Sequence, residues 1–308
     1  MKKKILIILL TFSIFILSAC SNAPEEKLDK NKKTVTVTSS FLYDMVHELA
    51  GNDVNIRLII PPGEDPHVYV AKPRDLDKIL SADLVLYHGL HFEGKMSEVL
   101  EKTGYAVTEN FPKKLVGHMD VDGETVTDPH FWFSIDLYKR AVENTSKKLI
   151  ELLPQDKEQI EKNTINYLGK LDELKAENEK MLAEIPKQSR YLITPHDAFN
   201  YFSREYNMPV LAPQGVSTDS EVANKDIQNT VDFIIKHKVK AVFAESTTDP
   251  ARMDKLKEAC RAKGFNVKVV KGDDNELFSD SLAPLGEPGD TYISMYRHNI
   301  KLIVDNLK

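Results

Sequence analysis

The sequence predicts an α/β fold of two similar lobes, each a mainly parallel sheet with covering helices, joined by one long rigid helix. Three observations carry this expectation. Short β-branched runs alternate with helical stretches over the first half of the chain. An unbroken helical pattern then runs from Pro154 to Ile185. After it the alternation resumes, which makes the long helix a rod between two lobes rather than an ornament on one.

In order, Val35 to Thr38 reads as a strand, and Phe41 to Ala50 as a helix that Gly51 can cap. Val54 to Ile60 is a second strand, closed by Pro61-Pro62-Gly63. A helix around Arg74 to Leu80 precedes a third strand at Leu84 to Tyr87, and Asp136 to Leu153 is helical. In the long helix, Ile160, Thr164, Leu168, Leu171, Leu174, Met181, Leu182 and Ile185 recur at helical spacing, with Pro154 suited to its first turn and Pro186 ending it. The second half gives strands at Tyr191 to Thr194, Ala241 to Ala244 and Val267 to Val270. Its helices are Ala198 to Tyr206, Asp226 to Lys236, Ala251 to Lys263 and Tyr292 to Leu307. The expected division is 34–153 for the first lobe, 154–186 for the linker helix and 187–308 for the second lobe.

Residues 1–19 read as a targeting segment, not as part of the fold. Lys2, Lys3 and Lys4 precede an apolar run from Ile5 to Leu17 that only Thr11 and Ser13 interrupt. Leu17-Ser18-Ala19-Cys20 resembles the lipobox of bacterial lipoprotein signals, which implies a diacylated Cys20 at the start of the mature chain. The polar segment 20–33 is the expected tether. Removing residues 1–19 takes the formal charge from −6 to −9, which gives no footing for nucleic acid and suits a body that attracts cations. With Cys20 acylated, Cys260 stands alone in a helical pattern and reads as a core thiol.

Nine histidines occur, and three directly follow a proline: His67 in Glu-Asp-Pro-His, His130 in Thr-Asp-Pro-His and His196 in Ile-Thr-Pro-His. Proline fixes its own φ and restrains its neighbour, so each imidazole is presented from a stiffened turn, as metal binding requires. Loops at the carboxyl ends of strands line the crevice of an α/β lobe. His67 and His130 would come from the first lobe and His196 from the second. Asp280, in Leu-Phe-Ser-Asp-Ser after the strand ending at Val270, is the best fourth donor. Three imidazoles and a carboxylate suit borderline divalent ions such as Zn(II) and Mn(II).

These stretches resemble a known family. Pro61 to Tyr69 is similar to the first-ligand motif of the TroA-like, cluster A-I metal-binding lipoproteins that serve manganese and zinc ABC importers. Asp128-Pro129-His130-Phe131-Trp132 resembles its second motif, Thr194 to Phe202 its third, and Phe278-Ser279-Asp280-Ser281 its fourth. Tyr87 to Glu93 resembles a further stretch that supplies no ligand. The resemblance implies one Mn2+ or Zn2+ ion held between the lobes by His67, His130, His196 and Asp280. It implies no catalysis, and delivery to a permease with a cytoplasmic ATPase. The expected receptor is a monomer, lipid-anchored on the extracytoplasmic face of the cell membrane. Metal identity stays open. Manganese-preferring members often carry Glu where His196 stands, whereas zinc-specific members often carry a long His- and acid-rich loop where Gly117 to Thr127 is short. Two rival readings are a surface adhesin with a structural metal and a zinc hydrolase using Glu64 as base, although no HExxH helix is present.

The other histidines read as follows. His47 and His237 are expected at the surface, His88 and His91 near the site, and His298 packed or capping. Glu245 is a candidate outer acid, Asp219 a shaper of its loop, and Trp132 part of the floor of the site.

Overall fold

The computed structural model describes residues 28–121, 124–272 and 275–308. The expected signal segment, Cys20 and most of the tether lie outside the described residues. Residues 28–32 form a turn closed by the Lys32 amide on the Asp29 carbonyl (3.1 Å).

The first lobe begins with β1 (Lys33–Val37), α1 (Ser40–Ala50), β2 (Val54–Leu58), α2 (Pro73–Leu80), β3 (Leu84–Tyr87), α3 (Ser97–Thr103) and β4 (Tyr105–Ala106). The strands form one parallel sheet in the order β2-β1-β3-β4. Val35, Thr36 and Val37 of the central strand are all fully buried, as expected of a sheet covered on both faces. Beyond β2 the ladder continues, because the Ile59 and Ile60 amides still bond to the Val37 and Thr38 carbonyls (3.0 Å each). Ser39 caps α1 by accepting from the Leu42 amide, and Gly51 ends it at φ 54°, a conformation that favours glycine. Pro73 starts α2 from the first turn, where its missing N–H is no loss.

Helix α3, strand β4 and the antiparallel hairpin β5 (Gly117–Val121)–β6 (Glu124–Asp128) are additions to the sequence reading. In α3 only Leu100 is buried, too little for a periodic signal. The hairpin was expected as a loop. His118, Glu124 and Thr125 are exposed, so no apolar alternation marks its strands.

Helix α4 (Ile135–Leu152) is capped by Ser134 and leads through a 3-10 turn at Pro154–Asp156 into α5 (Lys157–Leu182). At 26 residues, α5 is about 39 Å long. It buries Ile160, Thr164, Tyr167, Leu171, Leu174, Asn178 and Leu182 against α1 and α4 of the first lobe and against the last helix of the second. Leu168 and Met181, expected in that stripe, are only half-buried, and Tyr167 takes the central place.

The second lobe holds β7 (Leu192–Ile193), α6 (Asn200–Tyr206), β8 (Val210–Leu211), α7 (Asn224–His237), β9 (Ala241–Phe243), α8 (Ala251–Ala262), β10 (Lys268–Val270) and α9 (Tyr292–Leu307). β7 pairs with β8 and β9 with β10, both parallel, and β7 lies beside β9. Single bridges extend the two pairs, His196 with Gln214 and Glu245 with Leu277. Cys260 is fully buried among Val231, Ile234, Met253 and Leu256, a core thiol as expected.

The main hydrophobic cluster does not respect the lobes. It runs from Val35 and Phe41 through Trp132, Tyr167 and Leu171 to Phe199, Phe243 and Tyr292. At its centre the rings of Tyr138 and Tyr292 stack at 3.6 Å and 3°. Each fully buried large side chain contributes about 1.5–3 kcal/mol, so this shared core resists wide separation of the lobes.

Candidate metal centre

Four loops converge where the lobes face each other. His67 ends the turn that follows β2, and His130 follows β6 directly. His196 and Asp280 lie just beyond the strand pairs of the second lobe, at the bridge to Gln214 and after the bridge to Leu277. All four side chains are buried: His67 is 3% exposed, and His130, His196 and Asp280 are 0% exposed.

One donor atom from each residue lies within 4.8 Å of the others. The Nε2 atoms of His67 and His130 are 3.3 Å apart. Asp280 Oδ1 is 3.3 Å from His130 Nε2, and its Oδ2 is 3.1 Å from His196 Nε2 and 3.7 Å from His67 Nε2. Donors about 2.0–2.2 Å from a tetrahedral cation stand about 3.3–3.6 Å apart, so the set matches the size of one divalent ion. His196 Nε2 and both Asp280 oxygens are buried without a well-formed hydrogen bond. Buried polar atoms without partners are costly, and a shared cation would satisfy them together.

The backs of two rings are fixed by carboxylates. His130 Nδ1 is 2.8 Å from Asp128 Oδ1, and His196 Nδ1 is 2.5 Å from Glu245 Oε2. Each contact sets the tautomer so that Nε2 faces the cluster, the usual arrangement behind metal-binding histidines. Glu245 is therefore the outer acid that the sequence suggested, whereas Asp128 went unnoticed in that role. His67 is held differently. Its amide donates to Asp65 Oδ1 (3.0 Å), and its ring packs edge-on against Phe92 (centroids 5.3 Å). Gly94 allows the close approach, since a Cβ there would lie 2.2 Å from the His67 carbonyl oxygen.

The electrostatics centre on Asp280. Burial alone would raise its pKa, but the neighbouring His196 and His130 hold it well below the usual carboxylate range. Burial alone would lower the imidazoles. For His130 the bonds to Asp128 and Asp280 outweigh burial and raise it to about 9. Glu245 and Asp280 raise His196 well above its ordinary value. For His67 burial wins and lowers the pKa to about 3.

Trp132 forms part of the floor, as expected. It is fully buried, its ring lies 5.2 Å from that of His130, and its Nε1 donates to the Ser279 carbonyl (2.8 Å), which anchors the Asp280 loop. The Tyr292 and Tyr296 hydroxyls of α9 donate to the Trp132 and Phe133 carbonyls (2.6 and 2.8 Å). Sequence reasoning placed both tyrosines only on the last helix, and their spacing of four was the available signal.

His88 lies behind the cluster, fully buried among Phe41, Phe92, Phe131 and Trp132, with Nε2 2.6 Å from Ser39 Oγ. His47, His91 and His118 are exposed. His298 is packed on Phe278 with Nε2 2.9 Å from the Glu276 carbonyl. His237, expected at the surface, is half-buried between Tyr191 and Phe233. Asp219 pairs with Lys95 at 2.8 Å. Glu64, the base required by the hydrolase reading, is exposed, whereas the four donors are buried.

Known proteins share this architecture. Residues 35–306 match the family described as ZnuA, zinc-uptake complex component A, periplasmic. The manganese-binding lipoprotein MntA of Bacillus subtilis is 38% identical over 303 residues, covering 96% of this chain and 97% of that protein. The zinc-binding protein TroA of Treponema pallidum is 36% identical over 278 residues, covering 89% and 88%. A solved structure of that TroA superposes with a TM-score of 0.84 at 36% identity over 90% of this chain and 99% of its own. A second TroA structure, from work on metal-binding specificity, gives 0.89 at 62% identity over 90% and 100%. With a match over nearly its whole length and a buried three-histidine, one-aspartate cluster between two α/β lobes, the chain belongs to the ZnuA family of metal-binding, substrate-binding components of manganese and zinc ABC transporters.

Proposed function

We propose that His67, His130, His196 and Asp280 together coordinate one divalent transition metal, Mn2+ or Zn2+, which the protein carries to the permease of an ABC importer driven by a cytoplasmic ATPase. The ion is cargo. The protein binds it, catalyses no reaction on it and releases it. The working division is a first lobe at 34–153, a linker helix at 154–186 and a second lobe at 187–308. The protein acts as a monomer, held on the extracytoplasmic face of the cell membrane by a diacylated Cys20.

The observation that supports this reading best is the convergence of four buried donors from four separate loops. A closed shell of four protein donors leaves no position for a reactive water, which separates it from catalytic zinc sites. Relatives named for manganese and for zinc stand at nearly equal identity, so both metals belong in the proposal.

Elemental analysis of the purified chain, with competitive Mn2+/Zn2+ titration, tests the reading. One ion per chain is expected, and His67→Ala, His130→Ala, His196→Ala and Asp280→Ala should each weaken its retention. A wild-type chain that retains no ion, or four variants that bind as tightly as wild type, would overturn it.

A further inference from the structure

Two of the three imidazoles are steadied by a carboxylate on Nδ1, whereas among the described residues no carboxylate meets Nδ1 of His67. Its loop is instead tied to the opposite lobe. Asp65 uses its two oxygens separately: Oδ1 accepts from the His67 amide at 3.0 Å, and Oδ2 accepts from the Thr218 hydroxyl at 2.5 Å. Thr218 belongs to the second lobe, in a loop running from Gln214 to Ser220.

That loop is rigidly held on its own side. Gln214 is 3% exposed, and its Nε2 donates to the carbonyls of Thr218 and Ser220 (3.0 and 2.6 Å). Its Oε1 accepts from Arg252 of α8. Gln214 also bridges to His196, and the Asp197 amide donates to the Gly215 carbonyl (3.3 Å). A continuous path of bonds therefore runs from His196 through Gln214, Thr218 and Asp65 to His67 without passing through the metal position. Two further ties run parallel to it: Gly63 N–H donates to Ser281 Oγ (2.9 Å), and Lys95 pairs with Asp219 (2.8 Å).

We propose that the Asp65–Thr218 hydrogen bond is a latch between the lobes that sets how long a captured ion stays, by making the position of His67 depend on closure of the Gln214–Ser220 loop. Asp65 and Thr218 are positioning residues that touch no cargo. When the latch opens, the His67 loop keeps only the Gly63–Ser281 bond to the second lobe, and its imidazole can leave the ligand set first. The latch rests on the four-ligand reading above, and the experiment separates the two.

The test uses the full chain loaded with Zn2+ and mixed rapidly with excess chelator, with Thr218→Val, Thr218→Ser and Asp65→Ala as variants. A hydrogen bond to a charged group is strong enough that Thr218→Val should raise the dissociation rate constant about tenfold. Its association rate and metal-free melting temperature should stay near wild type. Thr218→Ser keeps the hydroxyl and should restore slow release. Asp65→Ala also frees the His67 amide and should release at least as fast as Thr218→Val. The latch is overturned if Thr218→Val or Asp65→Ala releases zinc at the wild-type rate, or if Thr218→Ser is as fast as Thr218→Val. A wild-type chain that retains no ion overturns the ligand reading itself, whereas one-ion retention with an unchanged Thr218→Val rate overturns the latch alone.

Discussion

Metal capture should expel protons, and Asp280→Asn should reduce their number. The Asp280 carboxylate stands 3.3 Å from His130 Nε2 and 3.1 Å from His196 Nε2. It stays ionised, while His130 is raised to about 9 and His196 well above its ordinary value. His67, lowered to about 3, is already neutral at pH 7. A cation requires the Nε2 lone pairs, so binding near pH 7 must displace protons from His130 and His196, about one to two per ion. Each proton displaced is worth ~1.4 kcal/mol per pH unit, so affinity should rise about 10- to 100-fold per unit. The sign follows from the raised imidazole pKa values: protons compete with metal below them, and the His130 contribution levels off only as pH passes about 9. Calorimetry at one pH in buffers of differing protonation enthalpy gives the proton count directly. In Asp280→Asn the imidazoliums lose the anion between them, so the count should fall together with affinity. A wild-type count near zero, or an Asp280→Asn count equal to wild type, would refute the reasoning.

Three other outcomes follow from the same geometry. Glu245→Gln removes the charge behind His196 without opening a cavity and should weaken metal affinity about 10- to 100-fold in competitive titration. Asp44 is buried and accepts from the Tyr292 amide (2.9 Å) and the Tyr167 hydroxyl (3.2 Å) on the same oxygen, and burial raises its pKa to about 7. A carboxyl raised in the folded state favours folding at low pH, and that advantage is lost as pH climbs from 3.8 through about 7. Asp44→Asn keeps both acceptor contacts, so urea unfolding should show a flatter fall in stability between about pH 4 and about 7 than wild type. An unchanged slope would remove Asp44 as its source. Leu171→Ala in the middle of α5 should cost about 2–5 kcal/mol in the same assay, because the fully buried Leu171 belongs to the core shared by both lobes.

The alternation of strands and helices was legible because it is written in local periodicity, and the last helix falls where the sequence placed it, Tyr292–Leu307. The three Pro-His pairs were legible for a different reason, since proline marks a stiffened turn in any context. The uses of neighbouring acids were not. Asp65-Pro66-His67 and Asp128-Pro129-His130 are the same tripeptide, and in both the acid accepts from the histidine amide at 3.0 Å. Yet Asp128 also holds its histidine ring, while Asp65 reaches Thr218, 153 residues away in sequence. Only the packing of the lobes decides between these uses. The hairpin before His130 and the hydroxyls of Tyr292 and Tyr296 were hidden in the same way, the first by exposure and the second by dependence on distant carbonyls.

The unbroken core has a consequence for any attempt to dissect the molecule. A fragment ending before α5 would leave Phe41, Trp132 and Tyr138 without their cover, and the complementary fragment would bare Phe199, Tyr292 and Tyr296. Neither piece is a self-sufficient sensor waiting to be grafted elsewhere. Chimaeras that exchange specificity with a relative are better made by replacing the ligand-bearing loops on an intact scaffold than by swapping halves.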